Sequence, residues 1–338
     1  MSHKYAEDTH DPEADPDDSC IELAHAGGER ALVAYREWKA QETRRTTDSH
    51  AVSVSSASRQ YLETQPYKNF KTSRECEHAL EQFRAFTGEI TLSDITAVMV
   101  HDFAEVIGKD KSKKLISKKL GYVRRMVDYA VRKGWVPVNV FAGIKLDKNL
   151  GTEKQSYLPL TDDELAMLFG MDMPVHLRRL LSILVTTGMR LDEAALLSWD
   201  DVKHDKAQDV TYFDLTASLV KNKGSERRVP VHSALSWIAA GRTGQMFPEF
   251  PRDRDGKTQS ASSKALMPLI RRVSREKSKA VHSLRGNFKD MLRDAGVSKE
   301  INDFITGHSS GDVAGNYGNG PSLHVRKEAI ERLVFPFL

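Results

Sequence analysis

At 338 residues the chain is longer than the ~250 residues at which a single core stops growing, so it divides into more than one structured part. Its 40% hydrophobic and 29% charged content supports real cores in a soluble protein, and no run approaches the ~20 apolar residues that cross a bilayer. Cys20 and Cys76 are too few for a disulfide framework or a CxxC metal site, and the acidic start, MSHKYAEDTHDPEADPDDS, is not a secretory signal, so a reducing cytoplasm is expected.

The net charge of +3 conceals an asymmetry. Residues 1–57 carry 6 Lys/Arg against 12 Asp/Glu, whereas residues 58–150 carry 17 against 11. An acidic segment ahead of a basic one suggests a polyanionic partner for the second.

In chain order, Asp11 to Asp18 is Pro/Asp-rich and expected to be disordered. A helix is plausible from Ile21 to Arg45, and the polar run Ser53 to Ser58 looks like a linker. Residues 59–144 are helical in pattern. Leu80, Phe83 and Phe86 recur at helical spacing before Gly88, and Ser93-Asp94 look like the cap of a helix over Val98 to Val106. The clearest helix spans Ser112 to Lys133, with Ile116, Leu120, Val123, Val127 and Ala130 on one face. Lys113, Lys114, Lys118, Lys119, Arg124 and Arg125 occupy its other positions. A helix this basic can lie against a phosphate backbone, where each contact releases condensed counterions.

Residues 145–158 read as a charged linker, and the domain boundary is placed there. Thr161, followed by Asp162, Asp163 and Glu164, is an N-cap signature. Next come an apolar helix over Leu177 to Val185 and a short helix after Arg190. Strand-like segments Val210–Leu215, Ala217–Val220 and Arg228–Val231 suggest a hairpin or small antiparallel sheet. Helices follow to the end, so the fold class is α+β, mostly α.

Four local patterns of the second part can carry chemistry. In the first, Thr187-Gly188-Met189-Arg190-Leu191-Asp192-Glu193, a helix stops at Gly188 and another starts, leaving Arg190 at the junction with Glu193 holding the turn. The second is the turn Lys221-Asn222-Lys223-Gly224-Ser225, whose lysines can swing an ammonium into a groove and donate a proton to a leaving oxygen. His282-Ser283-Leu284-Arg285 is the third; at i and i+3 an imidazole and a guanidinium share a helix face. The fourth is a Gly- and Ser-rich stretch from Gly307 to Gly318, carrying His308 and, nine residues on, Tyr317 between Asn and Gly, a poor place for a core residue.

Taken together and in this order, the four patterns resemble the tyrosine recombinase (phage integrase) family, whose pattern runs Arg, hairpin Lys, His-x-x-Arg, His, Tyr. The likeness covers most of residues 60–325. It implies a helical core-binding (SAM-like) DNA-binding domain at 58–148 and a linker at 149–157. A mixed catalytic domain with a small sheet at 158–322 and a tail at 323–338 would follow, behind an acidic N-terminal segment at 1–57.

By the same resemblance Tyr317 is the nucleophile, giving a 3′-phosphotyrosine and a free 5′-hydroxyl. Arg190 and Arg285 clamp the phosphate, His282 takes the tyrosine proton, and His308 hydrogen-bonds the scissile phosphate. Lys221, or alternatively Lys223, protonates the leaving oxygen. The family position, counted back from the Val-Pro strand, falls between the two lysines. The covalent link conserves the bond energy, so no cofactor, ATP or metal is expected. Gly286 stands where the family often has His.

The partners implied are a double-stranded DNA attachment site, a homotetramer on DNA and, for some members, an excisionase or DNA-bending protein, with no membrane and a nucleoid-associated, cytoplasmic location. The leading expectation is an integrase of a prophage or genomic island. An Xer-like dimer resolvase, a transposon recombinase, a type IB topoisomerase and a non-catalytic DNA-binding regulator are the alternatives. In this family an apolar tail like Val334 to Leu338 can dock on a neighbouring protomer.

Overall fold

The computed structural model describes residues 51–153, 156–216, 219, 225–308 and 320–338. The helix expected over 21–45, Lys221, Lys223 and Tyr317 lie outside the described residues, as does the Ala217–Val220 strand apart from Leu219. The chain divides into two compact units, Met1–Glu153 and Lys154–Leu338.

Among the described residues of the first unit, four α-helices enclose a core of their own. Helix α1 (Val54–Glu63) begins at Ser53, whose hydroxyl accepts from the Ser56 N–H at 3.1 Å. Val54, Ala57, Ser58 and Tyr61 are its buried face, at i, i+3, i+4 and i+7. The serine-rich run read as a linker is therefore the first two turns of a packed helix. Small side chains there allow close approach, and a polarity-based reading misses it.

Asn69 caps α2 (Phe70–Thr87), which buries Cys76, Ala79, Leu80 and Phe83 and ends at Gly88. A 3₁₀ turn, Leu92–Asp94, follows. Thr91 and Asp94 cap one another there, so Ser93-Asp94 do not cap the next helix; Thr96 caps α3 (Ala97–Gly108) instead. Ser112 caps α4 (Lys113–Arg132), whose Ile116, Val123, Met126, Val127 and Ala130 are buried. The rings of Phe83, Phe103 and Phe141 meet edge-on at 5.0 and 5.5 Å.

Part of the expected linker belongs to this unit. The Thr152 N–H donates to the Lys111 carbonyl at 2.8 Å, the Lys113 N–H donates to the Thr152 carbonyl at 3.1 Å, and Leu150 packs so closely that a Cβ on Gly108 would sit 2.9 Å from its Cδ1. An apolar leucine amid charges anchors a segment that composition alone marks as free.

The second unit opens with α5 (Asp162–Gly170), capped reciprocally by Thr161 and Glu164. Helix α6 (Val175–Thr187) follows, with Leu180, Leu181, Ile183 and Val185 fully buried at the centre of the core. After α7 (Leu191–Ala195) comes a three-stranded antiparallel sheet in the order β1 (Val202–Asp205), β2 (Val210–Leu215), β3 (Arg227–Pro230). Phe213 stands opposite Val202 on one side and Val229 on the other.

Helices α8 (Gln259–Val273), α9 (Ser283–Asp294), α10 (Lys299–Thr306) and α11 (Leu323–Glu331) complete the unit. The expected α+β fold, mostly α with a small antiparallel sheet, is the observed one. The tail expected to reach a neighbouring protomer packs on its own unit. Phe335 meets His232 edge-on at 4.9 Å, and Phe337 stacks on Phe169 at 5.0 Å.

Candidate active site

The first candidate, Arg190, is set by a backbone device. Gly188 ends α6 with φ +61°, and a Cβ there would lie 2.5 Å from Phe288 Cδ1, so only glycine fits this turn between two packed helices. Arg190 then becomes the N-cap of α7. Its backbone N–H donates to Glu193 Oε2 at 2.9 Å and its side chain to Oε1 at 2.6 Å.

Glu193 is 2% exposed and carries a second guanidinium, that of Arg227 on β3, at 2.9 Å. Burial pushes its carboxyl upward, but the bonds and charges of Arg227 and Arg190 outweigh that and hold it below its ordinary value. Arg227 is itself fixed by donating to the carbonyls of Ile305 (2.8 Å) and Ser225 (3.0 Å).

Arg285, in the first turn of α9, is 4% exposed. It donates to the Gly188 carbonyl at 2.5 Å and the Thr306 carbonyl at 2.6 Å, tying together the ends of α6 and α10. The same guanidinium stands 3.0 Å from His308 Nδ1. Burial pushes Arg285 down to about 10, helped by Arg190 and Arg227 and opposed by Glu193 and Asp303, so it stays charged at neutral pH.

His308 follows Gly307, the left-handed cap of α10, where a Cβ would crowd the Arg227 guanidinium at 2.8 Å. Partial burial and the cations Arg285 and Lys289 push the His308 imidazole down to about 4. His282 is the exposed N-cap of α9, its ring edge-on to Tyr157 at 5.6 Å. These groups border an open cleft of about 380 Å³ whose lining includes Tyr157, His282, Arg285, Lys289 and His308.

Of the sequence-predicted residues, His282, Arg285 and His308 line this cleft, and Arg190 is close enough that its charge acts on both Arg285 and His308. Two residues were missed. Lys289 is seven residues beyond His282, on the face it shares with Arg285, so helical periodicity carried one step further finds it. Arg227 is marked by strand alternation, inward with Val229 while Arg228 points out. A cluster this cationic, with fixed N–H donors, suits an oxyanion such as a phosphodiester in its transition state.

On α4 the basic residues are less free than the sequence suggests. Lys118 pairs with Glu75 at 2.5 Å, Lys113 with Glu153 at 2.8 Å and Arg124 with Asp128 at 3.9 Å. Lys119 donates to Gln82 at 2.7 Å and Arg125 to the Tyr67 hydroxyl at 3.2 Å, while Lys114 is exposed.

Residues 53–148 match the phage integrase SAM-like domain family. Tyrosine recombinase XerC of Xylella fastidiosa (strain M23) is 29% identical over 214 residues, covering 59% of this chain and 67% of that protein; the XerC of strain 9a5c is 28% identical over the same span. Both likenesses point to the tyrosine recombinase family. Among solved structures, a lambda integrase tetramer bound to a Holliday junction superposes on 83% of this chain at a TM-score of 0.61 and 15% identity, covering 86% of that chain. The Tn1549 transposon integrase, in complex with circular intermediate DNA, superposes on 82% at 0.60 and 16% identity, covering 99% of that chain. At such identities these two show that the fold is shared. The ordered residues of the cleft belong to this chain's own geometry.

Proposed function

We propose that this chain cuts and rejoins double-stranded DNA through a 3′-phosphotyrosine on Tyr317, and that it inserts and excises a mobile element, a prophage or genomic island, at a short attachment site. The observation that carries the chemistry is a cleft lined by Arg285 and His308, with the charge of Arg190 acting on both. Attack on a phosphodiester builds charge on the non-bridging oxygens, and fixed guanidiniums stabilise it without reorganising. His282, exposed at the cleft, accepts the tyrosine proton. A lysine of the β2–β3 turn, Lys221 or Lys223, protonates the 5′ leaving oxygen. The bond energy passes into the phosphotyrosine and returns on rejoining. DNA-bound relatives, one of them a tetramer, support a DNA partner and a multimer on DNA, and an excisionase or bending protein fits the integrase role.

A second reading, dimer resolution, is favoured by the sequence likeness to XerC. The two separate in a plasmid assay offering both the element's junctions with host DNA and a dimer-borne site. The integrase reading predicts recombination of the junctions, abolished by Tyr317→Phe. Exchange at the dimer site alone supports the resolvase, and relaxation of supercoils without exchange overturns both.

A further inference from the structure

Resting on that reading of the cleft, we propose that Lys289 is a positioning residue: with Arg285 it fixes His308 as the neutral Nε2–H tautomer, whose N–H is the donor offered to the scissile phosphate. Three groups surround His308 Nδ1. They are the Arg285 guanidinium at 3.0 Å, the Lys289 ammonium at 3.4 Å and the Thr306 hydroxyl at 3.0 Å. The two cations carry only hydrogens toward the ring, so they demand a bare lone pair on Nδ1. The Thr306 hydroxyl spends its proton on the Asn302 carbonyl at 2.7 Å and presents lone pairs, which alone would favour an Nδ1–H. Two charged donors outweigh one neutral acceptor. The ring proton therefore sits on Nε2, on the other side of the imidazole.

Lys289 is built for this place. Its side chain is 19% exposed, and Asp303 Oδ1 lies 3.6 Å from its ammonium. The Asn302 amide donates to the Lys289 carbonyl at 3.0 Å, tying α10 to α9. The charges facing the pair are Arg285 and Arg293 on α9, Asp303 on α10 with its partner Lys299, and Arg190 at the head of α7. Cations outnumber carboxylates there, which disfavours an imidazolium and keeps His308 a hydrogen-bond donor that transfers no proton. Gly286 puts no side chain on the same wall of the cleft, and Lys289 supplies a cation one turn on.

The test uses the full-length protein without DNA and then with a nicked suicide duplex. Long-range ¹H–¹⁵N spectra should show His308 as Nε2–H with a titration midpoint below pH 5. In Lys289→Met the midpoint should rise by about one pH unit, the increment expected for removing one adjacent charge. Single-turnover cleavage by Lys289→Met should fall about 10-fold and acquire a pH dependence between about pH 4 and 6, with DNA affinity changed less than 2-fold. Lys289→Arg should restore both rate and midpoint. Equal melting temperatures for the Met and Arg variants show that folding is not the cause. An Nδ1–H tautomer, a wild-type midpoint near 6.5, or a Met variant with unchanged spectra and rate would overturn the proposal. If the wild type fails to cleave while the spectra come out as expected, it is the strand-exchange reading that falls, and the tautomer assignment stands.

Discussion

Glu193 sits between Arg190 and Arg227 with 2% of its surface exposed, and both guanidiniums depend on it. Glu193→Gln leaves two buried or half-buried cations sharing a neutral amide, and breaking a buried pair this way costs about 3 kcal/mol. Urea unfolding should register that loss. The carboxyl is held below its ordinary 4.5, so the folded state binds its proton less readily than the unfolded chain. Its contribution is complete above that value and disappears as pH falls below it. Wild-type stability should therefore drop on acidification below about pH 4.5, and the Gln variant should lose that part of the slope. Gly188→Ala is a backbone test of the same site. At φ +61° a Cβ costs about 1–2 kcal/mol and also meets Phe288, so the α6–α9 contact must open, moving the carbonyl that Arg285 holds. A lowered melting temperature with cleavage falling at least 10-fold is the expected result.

Helix α4 was legible in the sequence because its apolar residues keep strict helical spacing and a serine caps it. Its charges were not, since pairing with Glu75, Gln82 and Glu153 depends on which helices lie beside it. If α4 meets DNA, exposed Lys114 contributes most freely. Lys114→Ala should then lower the slope of log affinity against log salt by about 0.9, and Lys118→Ala by less. Strand β1 went unseen because VKHD has one buried residue and no alternation to detect. Helix α1 was misread because serines and alanines pack as well as they dissolve.

The tail beyond α11 shows a third limit: an apolar terminus does not say which surface it will cover. Here His232, 5% exposed, accepts the Ala234 N–H at Nδ1 (3.0 Å) and faces the Leu333 carbonyl with Nε2 (3.2 Å). Burial pushes its pKa below 6.5, and Lys327 adds to that, while Glu331 and the Leu333 carbonyl oppose it. The unfolded chain thus takes up this proton first as pH falls. Stability is full above 6.5 and declines below it. The melting temperature should fall between pH 7.5 and 5.5 in the wild type and less in His232→Gln. Deleting residues 334–338 removes Phe335 and Phe337 from the core and should destabilise the chain by about 3 kcal/mol even without DNA. An unchanged melt would return the tail to a role between protomers.

At the scale of the whole molecule, family and fold were legible because six residues of four types had to occur in one order, and chance rarely supplies that. The same order did not reveal what immobilises them. Arg227 on β3 and the Thr306 carbonyl at the end of α10 are far from α6 and α7 in the chain, and only the folded core brings Arg227 to Glu193, the partner of Arg190, and the Thr306 carbonyl to Arg285. Nor does that order include Lys289, which helical spacing from Arg285 reaches but whose meaning depends on α10 lying against α9. The acidic residues 1–57 ahead of a basic 58–150 give the molecule a charge step along its length. Association with DNA should weaken steeply with salt, as for any protein that displaces condensed counterions.

The most direct measurement is covalent trapping on a nicked suicide duplex, followed by mass mapping of the DNA-linked peptide. The account predicts an adduct carried by Tyr317, absent in Tyr317→Phe and strongly reduced in Arg190→Ala and Arg285→Ala, with DNA binding retained by the Phe variant. Wild type that binds the duplex without forming an adduct, or an adduct mapped to another residue, would contradict it.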